Sequence, residues 1–313
     1  MDKNKLSFVI PCYRSENTIE SVVGEVDALM QEHKEYEYEI VLINDCSPDN
    51  VWSVISKLAN SRKDIKAVSF SKNFGQHAAL LSGYRVADGD IIVSLDDDGQ
   101  SPVDRTFDLI AKIDEGYDVV YARYNELKES LWRRCGSWLS NKMSEVLIGK
   151  PKEILGSSFY AMKKFIAKEM TNYQNPFTYI GGLVFRSTKN IANVYVDHRD
   201  RLEGKSGYSF GKLLMLWLNG FTAFSVVPLR LSSLLGVICA AAGFIFTIVS
   251  IIRKILIPDI SLGWTSTISI ILFVGGLIML MLGMMGEYLG RIYISINNSP
   301  QYVVKESINV DEK

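Results

Sequence analysis

Three consecutive carboxylates, Asp96-Asp97-Asp98, followed by Gly99 and Gln100, form the densest group of chemically useful side chains in the sequence. Like charges this close repel, so the run is favourable where a cation neutralises it. Side chains alternate along an extended segment, which turns Asp96 and Asp98 one way and Asp97 the other. Asp96 and Asp98 are therefore the metal candidates. A hard ion such as Mg2+ or Mn2+, held by one or two carboxylates, keeps positions open for diphosphate oxygens and offsets the charge growing on a departing nucleotide diphosphate. An acidic loop without metal is the bland alternative. A second acidic position, Asp45, lies in Asn44-Asp45-Cys46-Ser47-Pro48-Asp49, where it could accept hydrogen bonds from a base or ribose, while Asp49 suits the cap of a helix beginning near Asn50. The loop Pro11-Cys12-Tyr13-Arg14-Ser15-Glu16-Asn17 should lie beside it and line the same pocket. Neither G-x-G-x-x-G nor G-x-x-x-x-G-K-[ST] occurs, so neither a dinucleotide fold nor a P-loop is supported. The histidines, His33, His77 and His198, are not spaced with cysteine or each other for zinc, and His77, at a predicted helix start, reads as exposed rather than catalytic.

Positioning these residues requires a sheet. Short runs rich in Val and Ile recur at Leu6 to Ile10, Glu39 to Asn44, Ile65 to Phe70, Asp90 to Leu95 and Tyr117 to Ala122. Between them, Thr18 to Met30, Val51 to Ala59, Gln76 to Ala87 and Val103 to Asp114 carry apolar residues at helical spacing. That rhythm predicts an α/β domain with right-handed crossovers and a mainly parallel sheet. Both acidic motifs then fall at the carboxyl ends of strands, where open α/β sheets place their ligands.

The 313 residues suffice for about two domains, and 48% hydrophobic with 22% charged excludes a disordered chain, a collagen and a nucleic-acid-binding arm. Net charge is −1, so any basic site must be a local cluster. No charged residue occurs from Leu234 to Ile252 or from Ile260 to Gly286, lengths that suit bilayer-spanning helices of about 20 residues. The spans, Leu234 to Ile252 and roughly Thr267 to Gly286, form a hairpin with both ends on one side; a buried hairpin of a soluble protein is the alternative. Two amphipathic stretches precede it, at 131–147, with Trp132, Trp138, Arg133 and Arg134, and at 210–224, with Trp217; both suit a membrane surface. The four cysteines (Cys12, Cys46, Cys135, Cys239) lack C-x-x-C spacing and read as reduced. The run after Met1 is too short for a signal peptide, which predicts a cytosolic domain and cytosolic termini. The expected division is a domain over 1–230, a hairpin over 231–290 and a tail over 291–313 whose run Tyr302 to Val304 is a strand or a loose end.

Pro11-x-Tyr13, Asp45, Asp96-x-Asp98 and Gln100, in this spacing, resemble the family-2 glycosyltransferases of GT-A fold. The resemblance extends through Lys72-Asn73-Phe74-Gly75, Arg201-x-x-Gly204-Lys205-Ser206-Gly207-Tyr208, the hairpin, and Gly286-Glu287-Tyr288-Leu289-Gly290-Arg291. Within that family the chain is similar to the polyprenyl-phosphate branch, with its undecaprenyl-phosphate aminoarabinose and glucose transferases and, more distantly, dolichol-phosphate mannose synthases. The resemblance implies a nucleotide sugar donor, a polyprenyl (undecaprenyl) phosphate acceptor, Mg2+ or Mn2+, a bacterial inner-membrane location and a homo-oligomer, a tetramer in relatives. It implies that Asp45 contacts the nucleotide, that Asp96 and Asp98 bracket metal and diphosphate, and that Gln100 lines the sugar pocket. Arg201, with Arg199 and Lys205, would meet phosphate, for which guanidinium forks are suited. Pro11, Tyr13, Glu16, Lys72, Asp97, Ser158 and Tyr208 complete the expected substrate contacts.

Two positions depart from the family pattern. Many relatives carry an acidic residue, cast as a base, where this chain has Ser158, and others carry Lys where Gly207 stands. The first loss matters little for a phosphate monoester acceptor, whose second pKa near ~6 leaves it largely dianionic at neutral pH. The expected reaction is an inverting, in-line transfer. Rivals are a haloacid-dehalogenase-like phosphatase, although Gln100 stands where that family has Thr or Val, a processive sugar polymerase, and a noncatalytic membrane scaffold.

Overall fold

The computed structural model describes residues 4–124, 145, 149–197, 227–256, 263–297 and 299–310. Arg199, Arg201, Lys205 and Tyr208 lie outside the described residues, as do both expected interfacial helices apart from Glu145.

In chain order the elements are β1 (Lys5–Cys12), α1 (Ile19–Glu32), β2 (Glu37–Asn44), α2 (Val51–Ser61), β3 (Ile65–Phe70), α3 (Gln76–Val86) and β4 (Ile91–Ser94). A 3-10 turn (Val103–Arg105) then leads into α4 (Thr106–Asp114), β5 (Val119–Tyr124), β6 (Tyr160–Lys163), α5 (Lys164–Thr171), α6 (Ile180–Ser187) and β7 (Ile191–Val196). Two long helices, α7 (Val227–Leu256) and α8 (Trp264–Ile296), precede β8 (Val304–Ile308). The sheet order is β7-β5-β6-β4-β1-β2-β3-β8. β4, β1, β2 and β3 run parallel, β6 is antiparallel to both its neighbours, and β8 is antiparallel to β3.

The central strands are apolar nearly throughout because both their faces are covered, which removes the two-residue alternation of a half-exposed sheet. On one side α1 buries Ile19, Val22, Val23, Val26 and Met30, a single stripe at helical spacing. On the other, α3 lies so close that a Cβ on Gly83 would stand 2.3 Å from Val9 Cγ1, so glycine is required there. Phe8, Ile10, Leu42 and Phe70 are fully or almost fully buried, each worth about 1.5–3 kcal/mol.

At the amino ends of the strands a buried ionic cluster replaces apolar packing. Glu39, 2% exposed, accepts from Lys5 Nζ at 2.6 Å, Ser7 Oγ at 2.6 Å, the Asp88 amide at 2.6 Å and Lys66 Nζ at 3.0 Å. Burial alone would raise its pKa, but these donors hold it below the usual glutamate value.

The structure forms two compact units by contact, Met1–Gly220 with Ser299–Lys313, and Phe221–Asn298. The expected tail is thus divided, since its first residues continue α8 to Ile296 and its last form β8 in the sheet. Within the first unit that strand is firmly tied. Tyr302 stacks on Phe70 with centroids 4.9 Å apart, Arg85 donates to Tyr302 Oη at 2.8 Å and Gln301 Oε1 at 2.6 Å, and Trp52 Nε1 donates to Glu306 at 3.1 Å.

Within the second unit, Ser232–Val249 and Phe273–Ile296 are long and apolar enough to cross a bilayer, and their side chains are almost entirely unburied. A Cβ on Gly236 would meet Met281 Cε at 2.7 Å, so the helices approach closely where one of them has no side chain. Glu287 and Arg291, one turn apart on α8, pair at 2.7 Å, as their spacing predicts.

Candidate functional site

Three loops meet at the carboxyl ends of β1, β2 and β4, the point where the strand order reverses direction from β1. The first two are stitched side by side. The Arg14 amide donates to Ser47 Oγ at 2.7 Å, the Glu16 amide to Asp49 Oδ2 at 3.0 Å, and the Asn50 amide to Glu16 Oε2 at 2.8 Å. Arg14 (φ 61°) and Cys46 (φ 49°) both adopt left-handed backbone, a cost accepted where two tight turns must lie together. Glu16 therefore braces the loops. Asp49 also accepts from the Val51 amide at 3.4 Å, a weak form of the expected capping role. Tyr13 is 43% exposed and carries Arg14 over its ring at 5.6 Å, while Pro11 is buried within β1.

Asp45 differs from the expectation of a free nucleotide contact. It is 3% exposed, and its two oxygens accept the backbone N–H groups of Phe74 at 2.7 Å and Gly75 at 2.8 Å. Burial nevertheless leaves its pKa raised. Gly75, with φ 92°, supplies the backbone geometry that presents both amides to one carboxylate. This grip sets the start of α3 and the next residue, Gln76, whose Nε2 donates to Asp96 Oδ1 at 2.9 Å. Lys72, in the same segment, is exposed over the Phe74 ring at 4.9 Å.

The acidic run begins just after β4, which ends at Ser94 rather than Leu95. Its side chains diverge. Asp97 turns toward the first loop and accepts the Tyr13 amide at 2.8 Å, so the expected substrate contact is instead an internal one. Burial pushes its carboxyl up to about 6, with the charge of Asp96 adding to the effect. Asp96 instead meets Gln76 through Oδ1 and the Ser158 hydroxyl through Oδ2. Asp98 Oδ1 accepts the Gln100 amide at 3.1 Å. Tyr124, at the end of β5, is pushed up to about 12 by burial and by the charges of Asp96 and Asp98, and stays protonated.

Among the described residues no group of three or more His, Cys, Asp or Glu side chains could hold a metal ion. Asp96 and Asp98 offer a smaller donor set, two hard carboxylates. That set fits Mg2+ or Mn2+, which keep water and phosphate oxygens for the rest of their coordination.

Beside Asp96 lies a cavity of about 390 Å3. Gln76, Ser157 and Ser158 line it with Lys150 and His77, over a floor that includes Leu80, Tyr121, Tyr160 and Phe185. The exposed position predicted for His77 is incorrect: the ring packs edge-on against Tyr179 at 5.2 Å, and Nδ1 is buried with no hydrogen-bond partner. Burial lowers its pKa to about 4, so the ring is neutral. Neither Gln76 nor Lys150 is distinguished by the sequence alone. Gln76 follows the Lys72–Gly75 segment, the one available signal, whereas the burial of Lys150 depends on tertiary packing.

The sequence profile of Glycosyl transferase family 2 matches residues 7–187. Undecaprenyl-phosphate 4-deoxy-4-formamido-L-arabinose transferase of Proteus mirabilis is 31% identical over 311 residues, 98% of this chain and 95% of that protein. An uncharacterized glycosyltransferase of Bacillus subtilis is also 31% identical, over 98% of this chain and 95% of its own length. Among solved structures, glucosyl-3-phosphoglycerate synthase of Mycobacterium tuberculosis, in complex with Mn2+ and uridine-diphosphate-glucose, superposes with a TM-score of 0.52 at 19% identity, covering 70% of this chain and 77% of its own. That likeness is one of fold, the GT-A fold. With the matched domain spanning more than half its length and a relative aligned almost end to end, this chain belongs to glycosyl transferase family 2 and is a glycosyltransferase.

Proposed function

We propose that this enzyme transfers a sugar from a nucleotide diphosphate sugar, with uridine diphosphate as leaving group, to a polyprenyl phosphate such as undecaprenyl phosphate at the cytosolic face of the cell membrane. The observation that carries this reading is that, among the described residues, those lining the cavity beside Asp96 include no carboxylate. A sugar hydroxyl acceptor needs a general base, and a neutral histidine with a pKa of about 4 is too weak a base for that work. A phosphate monoester arrives already ionised. The undecaprenyl-phosphate acceptor in the name of the Proteus relative and the two apolar helices support the same choice.

In this mechanism a phosphate oxygen attacks the anomeric carbon from the face opposite the diphosphate. The carbon–oxygen bond to the diphosphate breaks with its electron pair, and configuration inverts. Asp96 and Asp98 would hold Mg2+ or Mn2+, which when bound supplies charge neutralisation at the departing diphosphate. Gln76 and Ser158 fix the rotamer of Asp96. Tyr13 offers an exposed ring for the base, and Gln100 is proposed to meet the sugar. Arg199, Arg201, Lys205 and Tyr208 are proposed to meet phosphate, and catalysis is chiefly positioning and charge stabilisation. Both termini lie in the cytosol and α7 and α8 span the membrane.

The test is transfer from a panel of radiolabelled nucleotide sugars to undecaprenyl phosphate by the purified full chain in detergent, with Mn2+ or with chelator. Asp96→Asn and Asp98→Asn should each lower the rate by about 100-fold or more, and chelation should do the same. Wild-type rates in both variants would refute the metal assignment; transfer to sugar hydroxyls and none to undecaprenyl phosphate would refute the acceptor.

A further inference from the structure

Lys150 is 6% exposed, yet its ammonium makes no ion pair among the described residues. Nζ donates to the Ile154 carbonyl at 2.5 Å, which uses one of its three protons. An ammonium withdrawn from water without a counter-charge is costly, and proteins retain such groups where an anion completes them. Burial lowers the Lys150 pKa, an effect that Glu145 opposes.

The surroundings favour the same kind of ligand. The cavity that Lys150 lines also receives Ser157, Ser158 and Tyr179 and the first turn of α6 at Ile180 and Gly181, where helical amides have no partner within the helix. His77 Nδ1, buried without a partner, lies in the same wall and becomes satisfied if a ligand group meets it. Among the described residues no acidic side chain lines the space. Two of its residues, Gln76 and Ser158, both hold Asp96, so a group bound there adjoins the reacting end of the site.

We propose that Lys150 is the buried anion receptor of this cavity and that it binds the phosphomonoester group of the acceptor, with His77 and the first turn of α6 completing the shell. The inference rests on the acceptor reading above only in requiring a phosphomonoester. Such a group comes either from a polyprenyl phosphate or from a small soluble phosphate ester, and the two sources separate by experiment. The arrangement also disfavours any acceptor or sugar substituent carrying an ammonium, since no carboxylate among the described lining residues offsets a second positive charge.

Two substitutions test the site from opposite directions. Lys150→Met keeps the length of the stem and removes the charge, with Lys150→Arg as the conservative variant. Gly156→Asp adds a carboxylate to the same wall, where a Cβ meets nothing within 4 Å, and leaves Lys150 in place. Affinities of the full chain in detergent are measured for undecaprenyl phosphate, undecaprenol, glycerol 3-phosphate and uridine diphosphate. Lys150→Met and Gly156→Asp should each weaken binding of the phosphorylated acceptor by about 10- to 100-fold, with undecaprenol and uridine diphosphate affinities unchanged and Lys150→Arg close to wild type. Wild-type affinity for undecaprenyl phosphate in both variants would overturn the inference while leaving the transfer reaction standing. If glycerol 3-phosphate is bound and glycosylated in place of the lipid, and Lys150→Met abolishes that binding, the cavity assignment holds and the lipid acceptor falls. Equal loss of uridine diphosphate binding in Lys150→Met and Lys150→Arg, with a lowered melting temperature, would mark Lys150 as a structural brace of the 149–155 loop and overturn the inference.

Discussion

At Asp45 each carboxylate oxygen takes one backbone N–H, from Phe74 and from Gly75. Asparagine cannot replace it, because its amide nitrogen would point a second donor at one of those amides. Asp45→Asn should therefore cost about as much stability as Asp45→Ala, about 1–3 kcal/mol, and lower the transfer rate through a misplaced Gln76; thermal melts read against rates at saturating donor will show it. A pH prediction belongs to Glu39. Its folded pKa is depressed, so its contribution is present above the unfolded value of about 4.3 and is lost as the pH falls through the folded value. Glu39→Ala, which removes the carboxylate that Lys5 and Lys66 share and leaves Lys66 paired with Asp88 alone, should destabilise by about 1–3 kcal/mol near neutral pH. The deficit should shrink as the pH drops toward the folded pKa, measured by melting over a pH series.

Among the elements, β8 offers the clearest test. The side-chain amide of Asn309, just past the strand, lies within 2.6 to 2.9 Å of the carbonyls of Ala59, Arg62 and Ile65, and its φ is 57°. Asn309→Ala loses those bonds and strains the backbone, whereas Asn309→Gly loses only the bonds. Hydrogen exchange at the β3 amides should rise in both and more in the alanine variant. The contrast between β8 and the first five strands also marks how far sequence reaches. β1 to β5 are legible because strands covered on both faces are written as unbroken Val and Ile runs. Tyr160–Lys163 and Val304–Ile308 are not, since the first is four residues long and ends in lysine, and the second is an exposed edge whose partner lies more than 200 residues away in sequence. The acidic run is legible in the sequence, whereas the turn at Asp97 and Asp98 that parts its side chains is not, because the alternation argument assumes an extended segment. The buried states of His77 and Lys150 are not legible either, because each depends on α6 and the 149–158 segment closing over it.

For the molecule as a whole, the polypeptide leaves the first unit before α7 and rejoins it at β8. A folded sheet cannot straddle a bilayer, so the proposed membrane location requires α7 and α8 to cross it an even number of times. In a cysteine-free background, Lys63→Cys and Lys305→Cys should react with an impermeant maleimide from the cytosolic face, and Asp259→Cys, between the two helices, from the opposite face. Labelling of Lys63→Cys and Lys305→Cys from different faces would sink the two-span reading. The same connectivity fixes an order of events during biosynthesis. Until the hairpin has been translated, β3 has an open edge, and that edge receives its partner only afterwards. Completion of the domain thus waits on the two apolar helices, and a ribosome stalled within them would leave a nascent enzyme whose sheet remains open to wrong pairing.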